Sequence, residues 1–219
     1  EFRRVLFRSF EDQSYCPGGS GQMAAVDSWD KPPLTGSSGT SDYFNECDFT
    51  VNNPNTGNGY VGFFTYINFI PNAREYVQAQ LTSPLQAGEC YTGSMYISLR
   101  PGSGYALDSV GMFVSVLAPP SVSGNMIDTT PQIATNVGNM VADSNWVQIT
   151  GSFIATGGEE YVTIGVFAPE SNLTINSTGG PSLSSFYLVD DVCITLIPHD
   201  TTTTDLVADT SLCTSTLIT

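Results

Sequence analysis

The sequence predicts an all-β protein, an antiparallel β-sandwich, on three observations. Apolar and polar residues alternate with a period of two through several short runs, the signature of strands with one buried face. Gly and Pro, 21 and 13 residues, interrupt the chain at roughly the 8–12-residue spacing of short strands joined by turns. No long stretch carries the apolar stripe of an amphipathic helix.

The elements follow in order. The first strand is expected to end at Phe10-Glu11. Residues 18–58 lack strand patterning but hold Trp29, Tyr43 and Phe44 among Gly, Ser, Pro and Asn, which argues that this segment packs on the sandwich. Residues 59–67 form an aromatic-rich strand. In 75–82, Val77, Ala79 and Leu81 face one way and Tyr76, Gln78 and Gln80 the other. In 90–99, Met95, Ile97 and Leu99 point inward and Ser94, Tyr96 and Ser98 outward. Residues 109–117 are apolar on both faces, so this strand is expected at a sheet centre. Residues 118–144 are rich in Pro, Ser and Asn and read as a long loop, a kind that is usually functional or disordered. In 146–155, Val147, Ile149 and Phe153 alternate with Gln148, Thr150 and Ser152. In 161–168, Val162, Ile164 and Val166 oppose Tyr161, Thr163 and Phe167. Residues 184–197 close the sheet. One apolar face per strand is what two sheets over a shared core require.

Two acidic motifs bracket this stretch: Ser9-Phe10-Glu11-Asp12 and Phe186-Tyr187-Leu188-Val189-Asp190-Asp191-Val192. The pair resembles the brackets of jelly-roll sandwiches of the galactose-binding-like, carbohydrate-binding-module type. That resemblance implies one sandwich over 10–197 with its first and last strands side by side. It also implies a structural Ca²⁺ held by Glu11 with Asp190 or Asp191, away from the ligand. Calcium takes about six to eight oxygen ligands, so loop carbonyls would complete the set. The competing reading has Glu11 and Asp190 accepting hydrogen bonds from backbone amides or from Arg74.

Three further strings extend the resemblance over nearly all of 10–197. They are Gly39-Thr40-Ser41-Asp42-Tyr43-Phe44-Asn45 before Cys47; Arg74-Glu75-Tyr76-Val77-Gln78-Ala79-Gln80-Leu81 with Gly88-Glu89-Cys90-Tyr91; and residues 146–165. Together they are similar to a jelly-roll domain of secreted surface proteins of gliding, type-IX-secreting bacteria. The resemblance implies fold and location; it implies no ligand.

The ends read differently. Residues 1–9 hold Arg3, Arg4 and Arg8, half of the six basic residues. Leu6-Phe7-Arg8-Ser9 resembles a translated sequencing adapter, which implies an assembly artefact and a metagenomic origin. Residues 198–205, with four consecutive Thr, read as a linker. Residues 206–219 resemble the first strand of an immunoglobulin-like repeat, a truncated second domain in which Cys213 lacks its partner.

Net charge is −15, which argues against nucleic acid and anionic lipid surfaces. No apolar run approaches membrane-spanning length. Five cysteines in a β-rich chain suggest disulfides and a secreted protein. Cys16 with Cys47, and Cys90 with Cys193, are the expected pairs, with buried free thiols as the alternative. No CxxC or Cys/His spacing marks a metal cluster.

The candidate ligand face is the outward set Tyr76, Gln78, Gln80, Ser94, Tyr96, Ser98 and Arg100. Aromatic faces stack on sugar C–H surfaces while amides, hydroxyls and guanidinium take the hydroxyls. These residues tile one surface if the two strands are neighbours. The alternatives are an ordinary solvated face, or one covered by 18–58; a second location is the loop tips carrying Trp29, Tyr66 and Phe69. Catalysis finds no support: the one histidine, His199, falls in the linker, and Glu159 and Glu160 are neighbours in a turn. The expected function is an extracellular, non-catalytic carbohydrate-binding-like or adhesive module of a larger cell-surface protein, with a glycan partner. The alternatives are a structural spacer of a surface adhesin and an ancillary domain of a secreted enzyme.

Overall fold

The structure, a computed structural model, describes residues 4–8, 10–32, 41–119 and 126–198, with backbone alone for 4–8. His199, most of the linker, the 206–219 segment and Cys213 lie outside the described residues. The strands are β1 Arg4–Arg8, β2 Trp29–Asp30, β3 Asp42–Asn45, β4 Gly59–Ile67, β5 Val77–Gln80, β6 Cys90–Leu99, β7 Tyr105–Leu107, β8 Val110–Ser115, β9 Ile133–Ala134, β10 Val147–Ile154, β11 Tyr161–Val166, β12 Ile175–Ser177 and β13 Ser184–Leu196.

Two antiparallel sheets face each other. One runs β10-β6-β13-β4-β3, with β1 on the same side of β13 as β4; the other runs β2-β5-β11-β8-β9, and β12-β7 form a separate ribbon. The long strands alternate between layers: β4, β6, β10 and β13 in the first sheet, β5, β8 and β11 in the second. The predicted inward residues meet between them. Val61, Phe63, Met95, Ile97 and Val189 pack against Val77, Val162, Ile164, Met112 and Val114 in one continuous core. Residues 4–8 run as a strand along Arg8↔Val192 to Arg4↔Thr195. Phe10 and Glu11, expected in the first strand, instead form a turn. Phe10 is fully buried against Trp29, ring centroids 4.7 Å apart.

Three expectations are corrected. Residues 75–82 and 90–99 are not neighbours. The 81–89 connection crosses layers, with the Leu81 N–H donating to Glu160 O beside β11 and the Gly88 N–H to Ala155 O beyond β10. Tyr76, Gln78 and Gln80 therefore stand on one sheet and Ser94, Tyr96 and Arg100 on the other.

Second, Cys193 is a free thiol, so the Cys90–Cys193 bridge is not formed. In the β13–β6 register Cys193 lies opposite Ser94 while Leu196 lies opposite Tyr91. The two cysteines are thus about four residues, roughly 13 Å, apart along the strands, beyond the reach of about 7 Å that a disulfide allows. Cys90 is disulfide-bonded, but not to Cys193. The Cys16–Cys47 bridge is present, Cα–Cα 6.1 Å.

Residues 109–117 supply an inner strand as expected: β8 is paired on both sides, with β11 and with the short β9. Its second apolar face is explained by Phe113, which joins Tyr76, Ile127 and Phe167 in a small cluster outside the main core. Third, Trp29 is 3% exposed in the core, so it is not a loop-tip ligand.

Candidate functional site

The six-stranded sheet carries a second set of aromatics on its outer face. Phe44, Tyr60, Phe186 and Leu188 are buried there, with Phe49, Phe64 and Trp146 packed against them. This follows from the alternation itself: Tyr187 and Val189 of β13 point into the core, so Phe186 and Leu188 must point outward.

The 50–58 loop closes over the middle of this face. Tyr60 Oη accepts the N–H of Val51 and of Asn52, both at 2.9 Å. Trp146 Nε1 donates to Asn53 O at 2.9 Å, and Asn52 Nδ2 donates to Ser98 Oγ at 3.2 Å. Asp190 Oδ2 accepts the N–H of Asn55 and Thr56 at 2.9 and 3.2 Å. Asp191 accepts Asn55 Nδ2 at 2.7 Å and Thr56 Oγ1 at 2.6 Å. Glu11 accepts the N–H of Asn58 and Gly59 at 2.8 and 3.2 Å. A register shift after Asp190, with Asp191 at φ 49°, lets two consecutive carboxylates reach one loop.

Glu11 and Asp190 here take the competing arrangement, accepting hydrogen bonds from backbone amides. With those of Asp191, their oxygens are aimed at N–H and hydroxyl donors, and backbone N–H groups repel a cation. Among the described residues no three acidic, His or Cys groups converge as metal ligands. Burial, with Asp191 alongside, pushes the Asp190 carboxyl up to about 7.

Among the described residues, one end of the outer face stays open. Beyond β6 the chain turns through Pro101 and Gly102 and returns to bond the start of β13. Gly104 N–H donates to Ser184 O at 3.0 Å and Ser182 N–H to Gly102 O at 3.1 Å. A Cβ on Gly104 would collide with the Ser182 backbone, and one on Gly180 with that of Ser103. Between these loops and the sheet lies a hollow of about 400 Å³, lined by Phe64, Arg100, Ser103, Ser182, Ser184 and Phe186 among others. Arg100 Cζ sits 5.2 Å from the Phe186 ring centroid, and Phe64 meets Phe186 edge-on at 4.8 Å. Ser182 Oγ and Ser184 Oγ are 2.7 Å apart. Among the described residues the Arg100 guanidinium makes no hydrogen bond or ion pair, and it exerts a favourable pull on the buried Asp42 carboxylate.

The sequence-predicted ligand residues separate accordingly. Arg100 lines the hollow. Ser94 and Tyr96 stand on the same outer face toward β10, opposite Thr150 and Gln148. Tyr76 is 0% exposed and Gln78 7%. Tyr76 Oη donates to Val166 O at 2.8 Å and accepts the Ile127 N–H at 2.9 Å. Gln78 Nε2 donates to Thr163 Oγ1 at 2.8 Å. Those two belong to the packing of the other sheet, and Gln80 stands at its exposed end. At the second expected location, Phe69 is 67% exposed, and Tyr66 packs edge-on against Tyr105.

Sequence reasoning missed Ser103, Ser182, Ser184, Phe64 and Phe186. The runs Arg100-Pro101-Gly102-Ser103-Gly104 and Gly179-Gly180-Pro181-Ser182 mark two loops, but nothing local to either places them together.

No family model and no curated protein matches the sequence. The fold is similar to that of the CBM22-1 xylan-binding domain of Xyn10C from Paenibacillus barcinonensis, at 18% identity and TM-score 0.47, covering 90% of this chain and 96% of that one. It is likewise similar to the K1 cleaved adhesin domain of Lys-gingipain from Porphyromonas gingivalis W83, at 13% identity and TM-score 0.47, covering 88% and 96%. A xylan-binding domain from CBM 22 matches at 11% identity and TM-score 0.45, covering 89% and 94%. The sandwich assignment rests on the strand order and the core described above.

Proposed function

We propose that this chain is an extracellular, non-catalytic module that binds glycan, with the sugar seated in the Arg100 hollow. The observation that carries the reading is the hollow itself. It combines the half-buried Phe64 ring, paired serine hydroxyls and a guanidinium whose donors are unspent among the described residues. Sugars need that mixture: apolar contact for their C–H faces and directed polar groups for orientation. The Cys16–Cys47 disulfide supports an oxidising compartment, and a net charge of −15 suits a protein kept soluble outside the cell.

A spacer role is the second reading. It is favoured by the 50–58 loop, which spends much of the outer face on internal bonds. A glycan array probed with the disulfide-intact chain separates the two. Reproducible retention that Arg100→Gln abolishes supports binding at the hollow. A blank from folded protein supports the spacer.

A further inference from the structure

We infer that the Arg100 hollow selects a sugar bearing a single carboxylate, a uronic acid residue on an otherwise neutral glycan. This rests on the glycan-binding reading and deepens it. Outside the first nine residues the chain has three basic side chains: Lys31, Arg74 and Arg100. Arg74 is buried, with Nη1 on Ala73 O and 3.6 Å from Glu170. Lys31 is exposed, just past β2. Arg100 is the one that sits at a hollow with its guanidinium donors unpaired among the described residues.

The guanidinium is also held ready. Contact with the Phe186 ring and the backbone bond from Arg100 N–H to Phe186 O at 2.9 Å limit its freedom before any ligand arrives, so less entropy is lost on binding. A guanidinium fork matches a carboxylate with two parallel N–H···O bonds. The charge-neutral remainder of the hollow, Ser103, Ser182, Ser184 and Phe64, suits a pyranose ring.

The number of charges narrows the class. One arginine, whose charge also acts on the Asp42 carboxylate, can meet at most one further negative charge; phosphate or sulfate clusters would need more cations than the hollow holds. A polyanionic glycan would also meet the field of a chain of net charge −15. That field is screened only beyond about 8 Å at physiological salt. An isolated carboxylate at Arg100 pays little of that repulsion.

The test is a ¹H–¹⁵N NMR titration of the full chain with methyl β-D-glucuronide, methyl β-D-glucoside, sodium acetate and a blocked glutamyl peptide. The glucuronide is expected to move the Arg100 Nε–H signal and the amides of Ser103, Ser182 and Ser184. It should bind about tenfold or more tighter than the glucoside, the worth of a charge-assisted bond. Arg100→Gln should erase that preference, and Arg100→Lys, which keeps the charge but not the fork, should retain only part of it. Equal binding of the two sugars at the hollow overturns the carboxylate inference and leaves the glycan reading standing. Binding of neither sugar overturns both. Acetate or the glutamyl peptide matching the glucuronide overturns the sugar half of the inference in favour of a bare carboxylate or a peptide ligand.

Discussion

Asp190 pins the 50–58 loop through Asn55, whose backbone N–H donates to Asp190 Oδ2 at 2.9 Å. The same oxygen takes the Thr56 N–H, and Oδ1 takes the Asp191 N–H at 2.7 Å. Asp190→Ala leaves two loop amides without their acceptor. It is expected to destabilise by about 1–3 kcal/mol, read from urea denaturation midpoints. Its pH dependence is a sharper check. The Asp190 carboxyl is pushed up to about 7, chiefly by burial and then by Asp191. A raised folded value means the native state holds this proton more tightly than the unfolded chain. That contribution is complete below the unfolded value of about 4 and is lost as pH rises through about 7. The deficit of Asp190→Ala relative to the parent should therefore shrink between pH 5 and pH 8. A constant or growing deficit would contradict the assignment.

Calcium removal tests the reading of the same three carboxylates from another side. Because Glu11, Asp190 and Asp191 are engaged by N–H and hydroxyl donors, EDTA is expected to leave the thermal midpoint unchanged. A drop restored by added calcium, and absent in Asp191→Asn, would instead establish an ion.

The cysteines give a chemical prediction. Iodoacetamide applied to the native, non-reduced protein should label Cys193, which is half-buried, and spare Cys16 and Cys47. Cys193→Ser should cost little stability. Cys16→Ser with Cys47→Ser opens a loop closed over 31 residues and should cost about 3–4 kcal/mol. Loss of stability in the reverse order would refute this pairing.

Tyr76 and Tyr96 should part company on mutation, although both alternate outward in the sequence. Tyr76→Ala removes a fully buried ring and leaves the Val166 carbonyl and Ile127 N–H without partners. A loss of about 3–5 kcal/mol is expected. Tyr96, half-buried on the outer face, should change stability by less than about 1 kcal/mol on substitution by Ala. Equal losses in thermal denaturation would place both in the same environment and contradict the sheet assignment.

What the sequence determined by itself was local. A period of two in 90–99, 146–155 and 161–168 follows from the pleat, so the strands and their inward residues were legible, as was the Cys16–Cys47 pair from its place in one loop-rich segment. Short strands such as β2, β3 and β9 were not, because two to four residues are too few to show a period. Which sheet each strand joins was decided only in the tertiary structure. The 81–89 crossover sends β5 and β6 to opposite layers, and alternation says which face a residue takes but not whose face it meets. The same holds for Tyr76, polar-side by pattern and buried by the 126–127 segment. The Arg100 hollow exists only because 100–104 and 180–184, about eighty residues apart in the chain, approach so closely that Gly104 and Gly180 admit no side chain.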